Sequence, residues 1–131
     1  MRTEPFTRES EDSLIIVKSY IGIHSLGLAL DTGASHTTVD LTQLLMAGYE
    51  IKQAIGTAQI ETASGFIDSY IFKVAEFSCM GVTKRNIDIA AYDFFAYHLL
   101  ADFDGVLGLD FFNEHKFCVD FKRSLITLDE I

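Results

Sequence analysis

The sequence predicts a mostly β fold, a largely antiparallel barrel with one or two short helices. Three observations point there. Of 131 residues, 49% are hydrophobic and 12% aromatic, enough for one core. The apolar residues fall in short runs, some with strand-like alternation, as at Ile87 and Ile89. Between the runs stand glycines and small polar residues rather than long helical patterns. A single proline and the lack of repeats argue against linkers, so one domain is expected over residues 14–131.

Residues 1–13 are polar, with six charged side chains, and are expected to form a flexible leader. Leu14 to Tyr20 and Leu26 to Leu30 read as two strands, with the reversal at Gly22 or Gly27. Thr37-Thr38-Val39 is β-branched. Asp40 then stands three residues before Gln43, at the head of Leu41, Leu44 and Leu45, a capping-box arrangement that Gly48 would close. A helix of about two turns is expected. Ile51 to Thr62 and Phe66 to Phe77 form the arms of a long hairpin whose tip holds Ala63, Ser64 and Gly65. Met80-Gly81-Val82-Thr83 turns into a half-buried strand at residues 86–90. Tyr92 to Phe103 is rich in aromatics and leucine without a clean period, and reads jointly as core and apolar wall. Leu109 to Glu114 is expected to be a short helix. Residues 117–121 and 125–128 close the chain as a hairpin about Lys122-Arg123-Ser124.

A formal net charge of -9 repels nucleic acid and anionic membranes, so neither is expected as a partner. No apolar stretch approaches the length of a bilayer span, and Met1 to Glu11 lacks the apolar centre of an export signal. A cytoplasmic location follows as an expectation, with Cys79 and Cys118 as reduced, buried thiols.

The chain is organised around Leu28-Ala29-Leu30-Asp31-Thr32-Gly33-Ala34-Ser35, an apolar run ending in an acid, a hydroxyl and a glycine. A buried strand with this ending delivers a carboxylate into a tight turn. Gly33 admits close backbone approach, Thr32 offers a hydroxyl, and Ala34 and Ser35 keep the turn small. Alone, the tripeptide equally describes an Asx-type turn closing a strand. A second segment, Val106-Leu107-Gly108 followed by Leu109-Asp110-Phe111, shifts the balance. Together the two stretches resemble the retropepsin-like aspartic proteases of single-domain cellular and prokaryotic type, from about Leu14 to Leu128.

The resemblance implies an acid-protease half-barrel in which Val106, Leu107 and Gly108 pack on the loop bearing Asp31. It implies that Thr62, Ala63, Ser64 and Gly65 form a flap over substrate, although locally they read equally well as a solvated turn. Peptide hydrolysis without a metal or nucleophilic side chain needs two carboxylates sharing a proton. This chain has one Asp-Thr-Gly, so the resemblance implies a homodimer in which two Asp31 side chains meet, acting on peptide or protein substrates without cofactor or metal. A catalytically silent peptide-binding or dimerisation module is the alternative. Retroviral members carry Asp and Arg where this chain has Ser35 and Leu109, which leaves the bracing of the dimer open. Asp104 and Asp110 are expected to serve a turn and a helix cap. His115 and Cys118 have metal-like spacing with no second pair near them in sequence, and His24, His36 and His98 are isolated.

Overall fold

The computed structural model describes residues 2–62, 65–96 and 102–129. In chain order the elements are β1 (Arg2–Pro5), β2 (Ile16–Ile21), β3 (His24–Leu30), β4 (Thr38–Asp40) and α1 (Leu41–Met46). A 3-10 turn (Ile51–Gln53) leads into β5 (Gly56–Thr62), β6 (Gly65–Cys79), β7 (Val82–Tyr92) and β8 (Gly105–Leu107). Last come α2 (Leu109–Phe112), β9 (Phe117–Asp120) and β10 (Leu125–Leu128).

The main sheet runs β2-β3-β8-β4-β7-β6-β5, and β2 also pairs with β6. Six strands therefore close into a barrel, while β5 extends from β6 as an outer strand. The closure follows from alternation. Val17, Ser19 and Ile21 of β2 point inward with Phe72, Val74 and Phe77 of β6 and Ile89 of β7. Ser19, polar but buried, is satisfied by the Val17 carbonyl and the Cys79 sulfur, each at 3.3 Å.

The β2–β3 reversal falls at Gly22, whose φ of +61° suits glycine. Gly27 instead lies within β3. At the next hairpin, Met80 and Gly81 both take positive φ in the two-residue turn between β6 and β7. The pairing is not wholly antiparallel: β8 lies parallel to β3 and antiparallel to β4, and β4 runs parallel to β7. Gly105 makes this insertion possible, because a Cβ there would lie 2.3 Å from the Thr38 carbonyl oxygen.

The expected leader is corrected at its first residues. Arg2–Pro5 pairs antiparallel with β10, which pairs with β9 in a second, three-stranded sheet. Phe6 supplies the reason: it is buried, its N–H donates to the Ser124 carbonyl, and its ring meets Phe121 edge-on. The helix after Asp40 forms, but without the capping box. Asp40 caps nothing with its side chain and accepts from the Phe94 N–H instead, while Gln43 reaches His24 and Asp104. Gly48 does end the helix, at φ +103°, with its own N–H bonded to Leu45 and that of Tyr49 to Leu44 in a Schellman arrangement. Ile51 opens a 3-10 turn rather than a hairpin arm, and the Cys118 thiol is exposed while Cys79 is buried.

Candidate active site

Leu28 and Ala29 of β3 are fully buried, and the strand ends where Asp31 N–H donates to the Leu107 carbonyl of β8 at 3.1 Å. Past that point the chain must turn. The Ala34 N–H returns to the Asp31 carbonyl at 3.1 Å, and the Gly33 N–H donates to Asp31 Oδ1 at 2.9 Å, fixing the carboxylate's orientation. The Asx-turn hydrogen bond and the buried delivering strand are thus both present.

The segment following β8 lies directly on this loop. Leu109 N–H donates to the Ala34 carbonyl at 2.8 Å and Asp110 N–H to the Ser35 carbonyl at 3.2 Å. Gly108 is buried between them. A Cβ there would lie 2.6 Å from the His36 carbonyl carbon and 2.9 Å from the Ala34 oxygen, so only glycine allows the two segments to touch. Leu107 is fully buried beneath, and Val106 lines the cleft above.

That cleft encloses about 780 Å³, with Asp31 and Gly33 to Ser35 on its floor. Ala58 to Glu61 of β5 form part of its lining. Of the four residues expected as a flap, Ala63 and Ser64 lie outside the described residues. Thr62 and Gly65 pair across the hairpin, and Gly65 holds φ +115°. Among the described residues the β5 lining therefore comes from the arm rather than the tip. Thr32, Gly33 and Ser35 are exposed, and Ser35 Oγ lies 2.8 Å from His36 Nδ1.

Asp88, Ala90 and Tyr92 also line the cleft. The signal for them was the alternation of β7 itself: with Ile87 and Ile89 on the core side, the intervening residues face the other way. Tyr92 and Phe94 pack with their rings tilted and centroids 4.8 Å apart, and both are buried, which fits the reading of core and wall together. Phe95 is exposed, and residues 97–101 lie outside the described residues. Burial raises the Tyr92 hydroxyl above its ordinary pKa, and the Asp40 charge raises it further.

Asp110 does not serve the helix cap expected of it, since Gly108 holds the N-cap position of α2 with no side-chain cap hydrogen bond, and Asp104 does more than close a turn. Asp104 accepts from the Gly27 N–H at 2.9 Å and from Gln43, tying β3 to α1. Both carboxylate oxygens of Asp110 accept from the Thr37 N–H. His115 donates to the Asp129 carbonyl and stacks on Phe111. Among the described residues no three His, Cys, Asp or Glu side chains gather as metal ligands.

A sequence profile described as aspartyl protease matches residues 18–111, which hold both motifs and the hairpin between them. A search of curated proteins gives no match. Among solved structures, a retropepsin-like aspartic protease from Rickettsia conorii superposes with a TM-score of 0.69 at 16% identity. The likeness covers 96% of this chain and 89% of that one.

Proposed function

The chain belongs to the aspartyl protease family, and from that premise we propose that it is a homodimeric endopeptidase whose two Asp31 carboxylates activate one water. The observation that carries this reading is the Asp31 carboxylate on the floor of the 780 Å³ cleft, oriented by the Gly33 N–H and faced by β5. One such carboxylate cannot act as both base and acid in the same step, so a second copy must supply the other. The exposed Thr32 at the head of the loop is the residue available to meet that copy.

In this mechanism one Asp31 takes a proton from the water as its oxygen bonds to the scissile carbonyl carbon. The partner carboxyl gives its proton to the carbonyl oxygen, forming a tetrahedral diol. Collapse breaks the carbon–nitrogen bond as the partner carboxylate takes a proton from one diol hydroxyl and the first Asp31 gives the leaving nitrogen the proton it took from water, restoring both carboxyls. β5 is the last strand of its sheet, so its outer edge offers backbone groups to an extended peptide lying over Asp31.

Asp31→Asn tests this directly. It keeps the Gly33 hydrogen bond and the volume while removing the proton transfers. The expected result is a folded, dimeric protein with peptide hydrolysis lowered by ~10²-fold to 10⁴-fold or more. Cleavage at the wild-type rate would refute the assignment.

A further inference from the structure

We infer that Asp110 is a positioning residue for Asp31, acting through Thr37 at the far end of the catalytic loop. This rests on the reading of Asp31 as catalytic. The Thr37 N–H donates to both Asp110 oxygens at 2.9 and 3.0 Å, and Thr37 Oγ1 donates to Oδ1 at 2.8 Å. The same hydroxyl accepts from the Gly108 N–H at 3.1 Å. Thr37 is 1% exposed, so its hydroxyl and N–H have these partners in place of water.

The clasp does not cap a helix. α2 spans four residues with Gly108 at its N-cap position, and no side chain caps it. Nor does the nearby ammonium claim the carboxylate: Lys84 donates to the Phe111 carbonyl at 2.7 Å and lies over the Phe111 ring. What the carboxylate grips is the exit of the loop.

At its entrance the loop is fastened by Asp31 N–H to Leu107, and in its middle by Leu109 and Asp110 N–H groups to Ala34 and Ser35. All of those are backbone bonds. Asp110 and Thr37 add the side-chain fastening six residues beyond Asp31. With it open, the loop pivots about the Asp31–Leu107 bond, and the carboxylate departs from its reacting position while the cleft wall on β5 stays in place. The loss falls on turnover rather than on substrate binding.

The test compares Thr37→Val, which keeps the shape and loses the hydroxyl, with Thr37→Ser, which keeps the hydroxyl, and adds Asp110→Ala and the double variant. Kinetics use a peptide that wild type cleaves and Asp31→Asn does not. Thr37→Val and Asp110→Ala should each lower kcat by ~10²-fold with KM within about 3-fold, Thr37→Ser should stay near wild type, and the double variant should fall no further than the worse single one. Amide exchange at Gly33 and Ala34 should quicken by about 10-fold or more in Thr37→Val, with Phe72 and Ile89 unchanged. A wild-type kcat in Thr37→Val, equal losses in Ser and Val, or exchange that quickens equally in loop and barrel would overturn the inference. If Asp110→Ala does not fold, the Val and Ser pair decides. If wild type cleaves nothing, the proposed function fails, and exchange at Gly33 still decides whether the clasp holds the loop.

Discussion

Burial pushes the Cys79 thiol up from 9.0 to about 12, against a smaller lowering by its hydrogen bond from Ser19. The folded chain therefore keeps a proton that the unfolded chain gives up once pH passes 9. The resulting stability is complete below pH 9 and is lost as pH rises toward 12. Denaturant melts at pH 9, 10 and 11 should show wild type losing up to about 1.4 kcal/mol per pH unit more than Cys79→Ala. Parallel slopes would mean that the thiol is reached by water. At this scale the sequence was legible where neighbours along the chain define the role. The Asp31 carboxylate and the Gly33 N–H that bonds it are two residues apart, so that turn was readable locally. Gly108 packs on Ala34 and His36 and was reached only through the family resemblance, and the role of Asp110 was not reached at all, because its partner Thr37 lies 73 residues away and only the fold brings them together. Asp40 misled for the same reason: its spacing to Gln43 suits a cap, but the Phe94 N–H is there to be bonded instead.

The strands β9 and β10 were readable because their alternation is sustained, β6 and β7 because stretches of each alternate, and α1 because an apolar face ends in a glycine with positive φ. The parallel insertion of β8 between β3 and β4 was not, since three residues carry no period and the strand's neighbours are distant in sequence. Gly105 now explains it and yields a prediction. Gly105→Ala places a methyl against the Thr38 carbonyl and Val39 Cα, both backbone atoms that cannot swing away. It should destabilise by ~1–3 kcal/mol or more, measured by chemical denaturation, and loosen the Asp31 loop that β8 supports. A stability change under about 0.5 kcal/mol would show that β8 sits further from β4. The β5–β6 hairpin behaves differently. Gly65→Val strains one residue at a hairpin tip, where φ is +115°, and leaves the barrel intact. Turnover should fall far more than the melting temperature does, and equal losses would mark an ordinary structural hairpin.

At the scale of the whole molecule, the barrel was foreseeable from composition and turn spacing, whereas the order of its strands was not. The fold is that of the retropepsin-like structure it superposes on, and each chain presents a single Asp-Thr-Gly loop to the cleft. On the proposed reading each chain supplies half a catalytic pair, which makes assembly part of the chemistry. Specific activity should therefore collapse on dilution through the dimer dissociation constant, followed by sedimentation at the same concentrations. A strictly monomeric species that still cleaves would refute this. The most direct measurement mixes wild-type and Asp31→Asn chains at fixed total concentration, well above that constant and after exchange of subunits is complete. If both Asp31 side chains act on one water, only dimers of two wild-type chains are competent. Activity then falls as the square of the wild-type fraction, to one quarter at an equal mixture. A linear fall, to one half, would mean that each chain works alone and would contradict the shared pair.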